Sequence, residues 1–184
     1  RAFGTPNSNP VSSDMFFEVS DAYIHLDMKT VVTDNIGDMK RSIFVGENQN
    51  SYEGDIHKRG GGVEHYRPNL PKYYSFGSEK EKVCLSFFVV ILSNSETLEV
   101  EMVSIMSMPN GQLESHYESR VLAAGKNPGK ARFKFSECDK FEILGRNDSR
   151  IKVSYVNPTI SQEITDQLSF FFDENGNLKS QFSC

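Results

Sequence analysis

The run Val83 to Leu92, VCLSFFVVIL, constrains this chain more than any other stretch. It is rich in β-branched and aromatic residues and apolar at odd and even positions alike. Such a segment suits a strand buried on both faces, and so a central place in a sheet. With 184 residues, 38% hydrophobic and 24% charged, the chain suits one globular domain with a sizeable core rather than a disordered polymer. Its longest apolar candidate, Leu85 to Leu92, falls far short of the roughly 18 residues of a membrane span. No basic-then-apolar leader opens it. Cys84, Cys138 and Cys184 are an odd set without metal-type spacing, and Cys84 sits inside the apolar strand, which argues for a reducing cytoplasm.

Further elements arrange themselves around that strand. Arg1 to Ser13 is loop-like. Met15 to Val19 and Tyr23 to Val32 are expected to form a hairpin turning at Ser20-Asp21. Thr97 to Met106 alternates, with one wet face, and Pro109-Asn110-Gly111 marks a turn. Ala131 to Phe135 and Lys140 to Leu144 predict another strand pair, followed by Arg150 to Val156. Ile160, Ile164, Leu168 and Phe171 predict an amphipathic helix over Thr159 to Phe171, capped by Thr159 or Ser161. The stretch 33–82 is expected to be a long loop with a functional role. Arg1, in place of methionine, opens the chain, which leads to the expectation of a preceding segment that carries helices.

Chemistry concentrates in the first hairpin. On a strand Tyr23, His25, Asp27 and Lys29 share one face, while Ile24, Leu26 and Met28 share the other, which is expected to be the core face. Asp27 and Lys29 then stand roughly 6.5–7 Å apart at Cα. Asp14 opens the preceding strand, so the hairpin brings it near Asp27. Asp21 is an alternative partner, but it falls at the turn, where aspartate serves the backbone. Two carboxylates pressed together repel, and a divalent cation relieves that repulsion at a hard oxygen site suited to Mg²⁺. Lys29 beside them suits the holding of a water and the stabilising of phosphoryl charge. The same spacing also fits an ordinary surface ion pair worth under about 1 kcal/mol. His25 suits a structural role, and His57, His65 and His116 lack metal-ligand spacing.

Ser13-Asp14, a gap of twelve residues and Asp27-x-Lys29 on an apolar strand resemble the PD-(D/E)xK nuclease motif. Ser13 replaces the usual proline, which is not a ligand. The run Ile24 to Thr30, leading into polar sequence, looks like the active strand of type II restriction endonucleases. The resemblance covers the first third of the chain and extends to the strong strand beyond. It implies a single nuclease domain over residues 1–184 of α/β (α+β) class, with a mixed central β-sheet of restriction-endonuclease type and flanking helices. It further implies Asp14 and Asp27 as Mg²⁺ ligands (Mn²⁺ substituting), the Met28 carbonyl as a further metal contact, and Lys29 as the catalytic lysine. The implied reaction is phosphodiester hydrolysis in double-stranded DNA by a homodimer. Many members carry an acidic residue on an upstream helix, and this chain shows none before Asp14.

A net charge of −5 argues against a wholly basic binding surface, though only the DNA-facing side must be positive. Lys58, Arg59, Arg67 and Lys72 form one basic group and Lys126 and Lys130 belong to another. Both are candidates for DNA contact, and both equally suit solvated loops. Gly125 to Lys130 lacks the spacing and the Ser/Thr of a phosphate loop. Two rival functions remain open at this point. One is a viral-type RNA endonuclease with the same core, and the other a non-enzymatic β-rich binding module.

Overall fold

The computed structural model describes residues 5–6, 14–58, 60–76, 80–126, 130–145 and 148–184. In chain order its strands are β1 (Thr5–Pro6), β2 (Met15–Glu18), β3 (Ala22–Val32), β4 (Ile43–Val45), β5 (Gly54–His57), β6 (Val63–Tyr66), β7 (Tyr73–Tyr74), β8 (Lys82–Ser93), β9 (Val100–Ser107), β10 (Leu122–Ala124), β11 (Ala131–Phe133) and β12 (Ile151–Val156). Two short helices, α1 (Glu114–Tyr117) and α2 (Gln162–Gln167), join them.

The apolar run becomes β8, the middle of a sheet ordered β1-β2-β3-β8-β9-β12, with β7 also pairing β8. β2 and β3 form the expected antiparallel hairpin, β3 runs parallel to β8 along its whole length, and β9 returns antiparallel. A mixed sheet with few helices is therefore the architecture, of α+β class. A smaller sheet, β10-β11-β4, and a separate β5–β6 hairpin lie apart from it. The main core gathers Phe88, Val90 and Leu92 of β8, Met102 and Met106 of β9, Ile43 and Val45 of β4, Phe133 of β11, and Leu168 and Phe171 after α2. Parallel pairing favours cover on both faces, yet Leu85, Phe87, Val89 and Ile91 on the opposite face of β8 stay half-buried.

Several expectations change. The stretch 33–82 is no loop: it holds β4 to β7 and buries Ile36, Met39, Ile43, Val45, Tyr52, Ile56, Tyr66 and Leu70. Strands of two to four residues are too short to show sustained alternation, so the sequence signal is weak there. Lys140 to Leu144 forms no strand. Glu142–Leu144 is a 3₁₀ turn, and Lys140 only bridges Ser149. The predicted helix contracts to α2, capped by Ser161, whose hydroxyl accepts from the Ile164 amide at 3.4 Å.

The β5–β6 hairpin carries its own electrostatic clamp. His65 Nδ1 lies 2.7 Å from Asp55 Oδ1 and Nε2 lies 2.8 Å from Glu53 Oε1. The Asp55 hydrogen bond first, then that of Glu53, raises the imidazole above its ordinary pKa. A raised folded pKa stabilises fully below the unfolded value of about 6.5, and that contribution is lost as pH rises through the folded value. The melting temperature of the wild type is thus expected to fall between pH 6 and pH 9 by more than that of His65→Gln. Parallel profiles for the two proteins would remove the clamp from the account.

Candidate active site

The chemistry-bearing face of β3 is the buried one, the reverse of the expectation. Tyr23 and His25 are fully buried and Asp27 is 6% exposed, whereas Met28 on the other face is 49% exposed. Polarity misled the sequence pattern: Asp27 and Lys29 lie under the segment that carries β4 and the turn after it, which supplies Phe44 and Gln49 as partners. Burial holds the His25 imidazole below the ordinary histidine range against the opposing pull of Asp27 and Asp14. Neither ring nitrogen of His25 has a hydrogen-bond partner among the described residues.

Lys29 Nζ stands 2.7 Å from Asp27 Oδ2, with side chains only 13% and 8% exposed. The pair is enclosed. Phe44 and Phe88 present their rings to the ammonium at 5.9 and 5.2 Å from their centroids. Gln49 bridges the two charged groups, donating from Nε2 to Asp27 Oδ1 at 2.9 Å and accepting from Lys29 Nζ at Oε1, also at 2.9 Å.

Asp14 enters by strand register. One step beyond the Met15–Leu26 pair it falls opposite Asp27, and its Oδ2 accepts the Met28 amide at 2.7 Å. That places the Asp14 carboxylate against the Asp27–Met28 peptide, at the solvent edge of the buried pair. Asp21 stands at the other end of β3, about 20 Å away by strand rise, so the register brings Asp14 and not Asp21 to Asp27.

The donor set fits a hard cation. Asp27 Oδ2 is buried and accepts no aligned hydrogen bond, its charge met by the ammonium alone. An anionic oxygen in that state gains from a divalent partner. Among the described residues no three His, Cys, Asp or Glu side chains converge as a metal-ligating group. A cation here would rest on the Asp14 and Asp27 carboxylates and the main chain.

A family model described as the type II restriction enzyme MwoI, N-terminal domain, matches residues 1–97, and the model of that enzyme's central domain matches residues 100–156. The chain belongs to the MwoI family of type II restriction endonucleases. The family is one of PD-(D/E)xK type, in keeping with the hairpin motif. In this MwoI-family chain the break between the two matched stretches falls in the turn after β8, and β8 pairs β9 across it. Among solved structures the tetrameric restriction endonuclease SfiI bound to cognate DNA is similar, with TM-score 0.57 and 14% identity over 76% of this chain and 55% of that one. The restriction endonuclease BglI bound to its DNA recognition sequence is similar too, with TM-score 0.54 and 14% identity over 77% of this chain and 54% of that one. The chain thus spans about half the length of either structure. No curated protein matches its sequence.

The basic candidates separate in space. Lys58, Lys126 and Lys130 line one open groove of about 640 Å³ together with Arg132. Lys130 Nζ sits 4.8 Å from the centroid of Phe44, the same ring that Lys29 approaches at 5.9 Å. Arg132 is clamped there by Asp38 at 2.7 Å and by the hydroxyl of Ser42 at 2.9 Å. Lys72 is instead tied to Glu114 at 2.7 Å, and Arg67 lies 3.9 Å from Glu53; neither lines the groove. Arg59 lies outside the described residues. Gln49 and Phe44 escaped the sequence reading because no motif marks an isolated amide or ring whose partners are distant in the chain.

Proposed function

We propose that the chain carries a Mg²⁺-dependent endonuclease centre that hydrolyses phosphodiester bonds of double-stranded DNA, with Mn²⁺ able to substitute. The observation that supports this reading most is the enclosed Asp27–Lys29 pair with Asp14 opposite it in register. Asp14, Asp27 and the Met28 carbonyl would hold the cation, which when bound supplies Lewis acidity toward the scissile phosphate. Asp27 keeps the Lys29 ammonium at the reacting position. Lys29 orients the attacking water and meets charge growing on the phosphoryl oxygens. Water attacks phosphorus, the bond to the 3′ oxygen breaks, and a 5′-phosphate remains. The aromatic walls exclude bulk water and strengthen each of these charge interactions. Lys58, Lys126 and Lys130 would carry the duplex backbone toward this point. Two-fold DNA sites suit a homodimer, since protein symmetry then matches that of the site. The DNA-bound state of the two similar structures supports DNA over RNA as substrate.

Incubation with phage DNA and Mg²⁺ is expected to give discrete bands, with single-stranded RNA left intact. Uncut DNA in both Mg²⁺ and Mn²⁺ would overturn the reading. Binding to duplex in Ca²⁺ is expected to weaken with salt, and Lys130→Ala and Lys126→Ala each to lower the log–log slope by about 1. Slopes unchanged in both variants would remove the groove from the DNA path.

A further inference from the structure

Gln49 touches both working ends of the Asp27–Lys29 pair, and its orientation is dictated rather than free. Oε1 accepts from the Gly46 amide at 2.8 Å and from Lys29 Nζ at 2.9 Å. Both of those groups can only donate, so the oxygen must face them, and Nε2 is thereby aimed at Asp27 Oδ1. The amide occupies one carboxylate oxygen and leaves Oδ2, the buried oxygen without an aligned donor. It also takes one ammonium direction. Asp27 takes another, and the rings of Phe44 and Phe88 offer no hydrogen-bond acceptor of comparable strength.

We propose that Gln49 is a positioning residue for the cleavage reaction, selecting Asp27 Oδ2 as the oxygen offered to the cation and holding the Lys29 ammonium beside it. The proposal rests on the nuclease reading above. The carboxamide is held from behind by its own turn, the 3₁₀ segment Glu47–Gln49, where the Gln49 amide donates to the Gly46 carbonyl at 3.1 Å. β4 and this turn therefore deliver Phe44 and Gln49 to the pair as one unit.

A purely local role makes a different forecast. Reciprocal capping of a helical turn is served by glutamate as well as by glutamine. Gln49→Glu keeps an acceptor for Gly46 and for Lys29, but loses the donor to Asp27 and sets a second carboxylate against Oδ1. If Gln49 only caps its turn, Q49E behaves as wild type.

The test compares wild type, Q49E and Asp27→Asn by thermal melting, Ca²⁺ titration calorimetry, DNA binding in Ca²⁺ and single-turnover cleavage in Mg²⁺. Q49E is expected to bind DNA within about threefold of wild type while its cleavage rate falls about 100-fold, the scale of a small misplacement of reacting groups. Ca²⁺ is expected to bind Q49E about tenfold more tightly, because the introduced carboxylate adds a hard oxygen charge beside Asp27. A wild-type cleavage rate or an unchanged Ca²⁺ affinity in Q49E overturns the positioning role. Asp27→Asn serves as the control: if it cleaves normally, the nuclease site itself fails and this proposal with it.

Discussion

Asp27→Asn combined with Lys29→Met is expected to abolish DNA cleavage and leave the fold as stable as the wild type or more so, whereas Lys29→Met alone is expected to destabilise it. The reason is burial. With side chains only 8% and 13% exposed, the pair has given up most of its hydration, and its mutual attraction does little more than offset that loss. Removing the ammonium alone strands a carboxylate whose other partner is one amide of Gln49, at a cost of about 3 kcal/mol. Removing both charges with near-isosteric side chains leaves Asn to bond Gln49 and Met to pack between Phe44 and Phe88. Urea unfolding of the two variants and the wild type measures this directly. Added Ca²⁺ is also expected to restore stability to Lys29→Met by replacing the lost positive charge. Equal unfolding midpoints for Lys29→Met and wild type would show the pair to be solvated, and cleavage by the double variant would dismiss these residues as catalytic.

A second large effect is expected far from any charge. Gly111→Ala is expected to cost about 3 kcal/mol or more, at the upper end for overpacked sites, and so to lower the melting temperature by roughly 6–12 °C. A Cβ on Gly111 would lie 1.9 Å from the carbonyl oxygen of Ser51 and 3.0 Å from Lys72 Cγ. Ser51 is itself buried, its hydroxyl accepting the Gly111 amide at 3.1 Å. Asn110 beside it donates to the Cys84 carbonyl at 2.6 Å, which ties the turn to β8. No flexible side-chain tip can yield there, because the obstacle is main chain. Gly37→Ala is the control, since nothing lies within 4 Å of its Cβ position. It is expected to shift stability by less than about 0.5 kcal/mol. Similar melting curves for Gly111→Ala and Gly37→Ala would refute the close approach.

The hairpin, the two-sided strand β8 and the strand after it were legible because long elements announce themselves by their period. The motif residues were legible because Asp14, Asp27 and Lys29 lie near one another in the chain and on one hairpin. Less could be seen in residues 33–82, where strands of a few residues alternate with turns and local pattern loses to tertiary packing. Charge alone assigns the polar face of β3 to the outside, whereas Tyr23, His25 and Asp27 on it are buried.

Local alternation along the chain determined that Asp27 and Lys29 share a face of β3, and turn position put Asp14 within reach. These are properties of backbone geometry, and any hairpin with this sequence would have them. Which face was buried, and what enclosed it, were decided only when β4 and its turn closed over the strand from residues 44–49. Contacts such as those of Gln49, Phe44 and Phe88 with Lys29 join residues that no local rule connects. Their strength depends on how far the surrounding elements shield the charges from water, so the sequence carries no periodic trace of it.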